Sequence, residues 1–270
     1  ATSIALPCHS AEVEGAGQGS ANELRSRDGR VLASIEPDHI AVANTALIRS
    51  RPGAEPVDIA AVITSGFAGW QITVDDGRVA AALVDRGEVL VRHAHLMTLD
   101  LADADRASSV AVASCSIGPL EMSPDRYAHL MTSAYPVGHV DHDPAELLPG
   151  GARHTIATYL SGEVVGSVRW DASCEARDGD DVIGFIVVSM AERGRVFPGG
   201  PWVTDVAVDP RFHGGGVGSA LLVHAIDALV RAGDDQIGLA VSHGNRARDL
   251  YRRLGFVEFF ESWRFMIAGS

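Results

Sequence analysis

The chain has 270 residues, is 46% hydrophobic and carries a formal net charge of −13, enough apolar material for one large core or two small ones. Such acidity argues against a nucleic-acid backbone as partner, which needs basic surface, and suits a cationic acceptor such as an amine. All 22 basic residues are arginine, so no lysine is available as Schiff base or general base. No apolar run approaches the roughly 20 residues of a membrane span, so no membrane partner is expected.

The stretch from Ala1 to Gly29 has little periodicity and is expected to be a loose arm or edge structure. No basic segment followed by an apolar one opens the chain, so no signal peptide and a cytoplasmic location are expected. Gln71 to Val74 and Val79 to Val84 flank Asp75-Asp76-Gly77-Arg78, which reads as a hairpin. A second hairpin is expected between Val84 and Val89-Leu90-Val91, giving an antiparallel meander. A linker or boundary helix is expected over Asp100 to Ala107, dividing an accessory domain (residues 1–112) from a second domain (residues 113–270).

In the second domain Pro124 to Ala134 reads as a helix with Ser123 as N-cap. Arg153 to Leu160 and Val164 to Trp170 read as a hairpin across Ser161-Gly162-Glu163. Strands are expected over Val182 to Met190 and Val203 to Val208. Val217 to Arg231 reads as an amphipathic helix with Leu221, Leu222, Ala225, Ile226 and Leu229 on one side. A strand over Ile237 to Val241, a short helix over Arg246 to Leu254 capped by Gly255, and a strand over Phe256 to Phe260 complete the chain.

Between the Val203–Val208 strand and the following helix lies Asp209-Pro210-Arg211-Phe212-His213-Gly214-Gly215-Gly216-Val217-Gly218-Ser219. Glycines let backbone N–H groups turn toward one anion, and the helix N-terminus adds partial positive charge, so this reads as a pyrophosphate cradle. It is not a Walker loop, for no Gly-Lys-Ser/Thr follows, and no acidic ribose partner makes it a dinucleotide fingerprint. Cys8, Cys115 and Cys174 lack metal-ligand or disulfide spacing, and no metal is expected. His139, Asp141, His142 and Asp143 form a further polar cluster, which reads as a solvated loop rather than a metal site.

Arg211, Gly214 and Gly216 match the Arg/Gln-x-x-Gly-x-Gly/Ala signature of the GNAT N-acyltransferases. Asn245 through Phe256 resembles that family's Asn…Ala…Leu-Tyr…Gly-Phe segment, with the Asn-to-Tyr interval one residue short. The resemblance covers residues 200–260 well and 115–200 in outline. It implies an α/β (α+β) fold, a twisted mixed sheet flanked by helices with splayed central strands that hold acetyl-CoA or a longer acyl-CoA. It implies that Val206, Ala207 and Val208 offer backbone groups to the pantetheine arm. The pyrophosphate would lie over Phe212, His213, Gly214, Gly215, Gly216, Val217, Gly218 and Ser219, with Asn245 nearby. Tyr251 would protonate the leaving thiolate, a role that suits a phenol protonated at neutral pH. Asp205 is the first candidate for the base that deprotonates the amine, ahead of His243 and His213.

The resemblance implies direct acyl transfer to a primary amine of a small molecule, an amino sugar or antibiotic-type metabolite among the options, by orientation and carbonyl polarisation. Two rivals are a protein N-acetyltransferase and a non-catalytic CoA-binding module. The N-terminal 112 residues read either as a degenerate lobe of the same fold or as an unrelated antiparallel accessory domain.

Overall fold

The computed structural model describes residues 23–37, 44–103, 115–121, 123–193, 197 and 199–268. Cys8 and most of the expected N-terminal arm lie outside these residues, as does the second half of the expected linker over Asp100 to Ala107. The chain forms two compact units, Ala1–His93 with Glu261–Ser270, and Ala94–Phe260. The boundary expected near residue 112 falls outside the described residues, and the compact units instead divide within two strands.

The first unit is built on β1 (Glu23–Arg25), β2 (Val31–Pro37), β3 (Thr45–Ser50) and β4 (Gln71–Val74). β1, β2 and β3 run antiparallel, while β4 lies parallel to β3 and is reached through helix α1 (Pro56–Gly66). Four residue pairs, Thr45↔Gln71 to Ile48↔Val74, join β3 and β4 over the whole of β4. The meander expected here is absent. Val79 to Val84 belongs to helix α2 (Gly77–Asp85), because Asp76 caps it by accepting from Arg78 N, 2.8 Å, and Val79, Ala80 and Leu83 form its buried face. The same Asp-Gly that signals a hairpin thus serves as a helix start. Leu32, Ile48, Ile59, Ile63, Ile72, Leu83 and Phe265 form this unit's core.

The second unit carries β6 (Ser116–Pro119), β7 (Cys174–Asp178), β8 (Asp181–Ala191) and β9 (Gly200–Val208) as an antiparallel series. Helix α5 (Val217–Ala232) then crosses to β10 (Gln236–Ser242), parallel to β9, and the Ala94–Asp100 part of β5 (Val89–Asp100) pairs antiparallel with β10. Helices α3 (Pro124–Ala134) and α4 (Gly151–Ser161) pack with Phe185, Val187 and Ala207 on one face of the sheet. α5 packs with Ile186, Val188 and Val203 on the other. Each fully buried leucine or isoleucine there contributes about 1.5–3 kcal/mol.

The hairpin expected across Ser161 is corrected: residues 151–161 are helix α4, whose Ala152, Ile156 and Leu160 recur every four residues on the buried side. Val164 to Trp170 makes only an isolated bridge, Val168 to Ser189. The other elements expected in this unit are present, ending in α6 (Ala247–Arg253) and β11 (Val257–Met266). Among the described residues no helix is long and apolar enough to cross a membrane.

Candidate active site

Two irregularities in β9 shape the site. The first is a bulge. Val187 pairs with Asp205 and Val188 with Val203, leaving Thr204 without a partner across the ladder. An extra residue reverses which face every later side chain takes. Val203 therefore packs on the α5 side, whereas Ala207, four residues on, packs on the α3/α4 side. Asp205, opposite Val187, follows Ala207, while Val206 and Val208 turn toward α5.

The second is the separation of β9 from β10. Only Gly238↔Trp202 and Leu239↔Val203 pair, so Thr204 to Val208 and Ala240 to Ser242 diverge. Backbone groups along that wedge lack the ladder bonds a continuous sheet would provide. A cavity of about 1230 Å³ opens here, lined by Val206 and Val208 of β9, the loop and first turn of α5, α6, and the segment after α3.

The glycine loop gives this cavity its polar end. Gly214 and Gly216 hold φ of +76° and +86°, and Gly216 is the N-cap of α5, whose first turn carries no acidic residue. Only glycine adopts this backbone without strain. The free N–H groups of the first turn and the helix dipole favour an anion at this end.

The sequence-derived site residues divide as follows. Val206, Val208, Phe212, His213, Gly214, Gly216, Val217, Gly218, Ser219, Asn245 and Tyr251 line the cavity. Asp205, Ala207, Arg211 and Gly215 do not. Ala207 is packed in the α3/α4 core. Arg211 is exposed and forked onto Asp209 at 2.6 and 3.1 Å, which holds the Asp209 carboxyl below the ordinary range. His213 Nε2–H donates to Val208 O at 2.9 Å, fastening the loop to the strand.

Asn245 Oδ1 accepts from Ala247 N, 2.8 Å, starting α6, and its Nδ2 donates to Asp141 Oδ2, 2.6 Å. Ser242 Oγ also donates to Asp141. Asp141 thus joins the ends of β10 and α6 to the segment after α3. The rest of the His139 to Asp143 cluster shapes its own turns: His139 Nδ1 accepts from Asp141 N, His142 Nδ1–H donates to Tyr135 O, and Asp143 caps Ala145 N.

Tyr251 is 6% exposed and its ring packs against Phe256 at 5.9 Å. Its hydroxyl makes no hydrogen bond among the described residues. Burial, then the charges of Asp141 and Asp205, push the phenol well above its ordinary range, so it stays a proton donor.

Asp205 keeps some surface, but its Oδ2 is buried with no hydrogen-bond partner. Burial raises its carboxyl to about 7, against a lowering hydrogen bond from Tyr135 and a further rise caused by Glu146 and Asp141. The Tyr135 hydroxyl donates toward both Val206 O, 2.6 Å, and Asp205 Oδ1, 3.1 Å, and its ring lines the cavity. Sequence reading misses Tyr135, since nothing local marks a tyrosine at a helix end as a partner of a residue 70 positions on.

His243 follows β10 and is exposed. His95, 2% exposed, donates from Nδ1 to Glu258 Oε1, 2.9 Å, so a neutral His95 accepts at Nε2 from His243 Nδ1–H, 3.0 Å. Arg248 closes the other end on Glu258 at 2.7 Å. Cys174 is buried among α5 residues with its thiol pushed up to about 12, which makes it inert.

A splayed mixed sheet with an anion-favouring helix N-terminus at its cleft is an α/β arrangement suited to binding a ligand at a strand crossover. Residues 169–256 match the model of the acetyltransferase (GNAT) family. It is similar in fold to a GCN5-related N-acetyltransferase from Sphaerobacter thermophilus, with TM-score 0.58 and 14% identity over 94% of this chain and 84% of that one. A functionally unknown conserved protein from Staphylococcus epidermidis gives TM-score 0.54 and 12% identity, over 87% of this chain and 90% of that one. No curated protein matches the sequence.

Proposed function

We propose that the chain is an acyl-CoA-dependent N-acyltransferase that moves an acetyl or longer acyl group to a primary amine of a small molecule. The observation that carries this is the cavity in which the glycine-lined start of α5, the unpaired end of β9 and Tyr251 meet. The donor fits: positive-φ glycines leave room for a pyrophosphate, and the unpaired strand edge offers backbone partners to an extended amide-bearing arm.

The reaction needs one proton removed from nitrogen and one delivered to sulfur. The amine nitrogen forms a bond to the thioester carbonyl carbon and the C–S bond breaks. Asp205, with an unsatisfied oxygen and a pKa near neutrality, accepts the nitrogen's proton, with the Tyr135 hydroxyl between it and the cavity. Tyr251 gives its proton to the departing sulfur. Residues 1–112 are read as a degenerate lobe of the same fold, and residues 113–270 as the catalytic domain.

Free thiol is followed while the protein is supplied with acetyl-, butyryl- or octanoyl-CoA and a panel of amines. Amine-dependent thiol release is expected. Binding of CoA with no amine-dependent release from any donor rejects the reading in favour of a CoA-binding module.

A further inference from the structure

The cavity inverts the charge balance of the chain. The protein carries 35 acidic residues against 22 arginines, yet among the described residues no carboxylate lines the cavity. Two arginines do, Arg246 and Arg253, at the two ends of α6. Neither guanidinium makes a hydrogen bond or ion pair among the described residues. The other two arginines of that helix are treated differently. Arg248 pairs with Glu258 at 2.7 Å, Arg252 lies 3.9 Å from Asp249, and neither lines the cavity.

Helical geometry sets where the unpaired cations stand. Arg246 already has helical backbone angles, φ −62° and ψ −22°. Leu250 follows it by four residues and Arg253 follows Leu250 by three, so the three share one face of α6. Leu250 is where that face meets the start of α5: a methyl group added at Gly218, in the first turn of α5, would stand 3.6 Å from Leu250 Cδ2. The two arginines therefore flank the anion-favouring helix start, about 10 Å apart along α6.

A diphosphate seated on the N–H groups of that helix start leaves both guanidinium groups without a partner. What they fit is a second anionic group beside the first. Coenzyme A carries one, the 3′-phosphate of its adenosine, a monoester with about two negative charges at neutral pH. We infer that Arg246 and Arg253 bind the 3′-phosphate of the donor, so that the acyl group is taken from free coenzyme A rather than from a carrier lacking that phosphate, such as the phosphopantetheine of a carrier protein. This rests on the acyl-CoA reading and specifies its donor. Guanidinium forks match phosphate oxygens, and no acid in the lining competes for them.

CoA and 3′-dephospho-CoA differ only in that phosphate, and calorimetry reads the affinity of each. Wild type is expected to bind CoA about tenfold or more tightly than dephospho-CoA, the scale of charge-assisted hydrogen bonds to phosphate, and the preference should shrink as salt is raised. Arg246→Gln and Arg253→Gln should each remove part of the preference, and the double variant should bring the ratio to about one. Both side chains are exposed, so the variants are expected to melt with wild type, which verifies their folding. Equal affinity of wild type for the two ligands overturns the proposal. A preference that survives the double substitution, with both ligands weakened alike, assigns the arginines to the diphosphate and overturns it too. No binding of either ligand to wild type rejects the acyl-CoA reading itself.

Discussion

The two units repeat one order of elements and use it differently. In each, antiparallel strands lead into a parallel pair joined by a crossover helix: β1-β2-β3, α1, β4 in the first and β7-β8-β9, α5, β10 in the second. β3 and β4 stay paired over four residues, whereas β9 and β10 part after two. The loop before α1 reads Arg51-Pro52-Gly53-Ala54-Glu55, with Glu55 at the N-cap, Pro56 in the first turn and Asp58 beside it. A proline lacks an N–H and the acids oppose an anion, so this helix start repels what the α5 start attracts. The order of elements is thus insufficient for a site. A wedge, a glycine loop and a bulge convert it into one; in the first unit β3 stays paired with β4 and β2 pairs with β3 without a shift of register, so neither wedge nor bulge stands at the equivalent places.

The largest expected effect confines the chemistry to the second unit. Asp205→Asn and Tyr251→Phe should each lower kcat by about a hundredfold or more, with CoA affinity little changed, as loss of a general base or acid does. A fall below threefold in both would break the assignment.

Paired substitutions test the two loops next. Gly53 and Gly214 have φ of +81° and +76° and open space where a Cβ would stand. Valine at either imposes about 1–2 kcal/mol of left-handed strain. Gly214→Val should also weaken CoA binding by about tenfold or more, read by calorimetry, because its side chain enters the cavity. Gly53→Val should leave CoA affinity unaltered, and equal losses would erase the contrast.

Smaller effects concern pH. As the proposed base Asp205 must be ionised, so the rate should climb through pH about 7 and level off above it. Tyr135→Phe removes the hydroxyl that stands between Asp205 and the cavity and a bond that favours the carboxylate, so kcat should fall and the remaining limb should move to higher pH by up to about one unit. The stability consequence has a definite sign. Asp205 titrates near 3.8 unfolded and about 7 folded, so ionising it costs stability that is absent below 3.8, grows between the two values and is complete above 7. Asp205→Asn should therefore raise Tm relative to wild type at pH 8, and by less at pH 5. A constant difference would place the carboxylate in a wetter setting than its orphaned oxygen indicates.

The second unit was legible where chemistry and periodicity agree. The α5 stripe is marked by its periodicity and the glycine loop by its composition, whereas Tyr251 is singled out by the resemblance alone. Reading failed where β-branched or turn residues masked a helix: Thr155, Ile156, Thr158 and Tyr159 pull Arg153 to Leu160 toward a strand, yet the four-residue spacing of Ala152, Ile156 and Leu160 governs. Asp76-Gly77 was ambiguous because one dipeptide starts both hairpins and helices. Tyr135 was beyond reach, since its meaning comes from tertiary packing, through its hydrogen bonds to β9.

Thr204 occupies no cavity and touches no reacting group; its hydroxyl donates to Ser189 Oγ at 2.8 Å. Yet drawing this one residue into the ladder opposite Val187 would shift every later residue by one partner and exchange inside for outside along the rest of β9. Asp205 would leave Tyr135, and the valines that border the cavity would exchange places with Ala207. The strand is in this sense a reading frame, and the side chains it offers the cavity depend on the ladder skipping a residue that contributes no chemistry of its own.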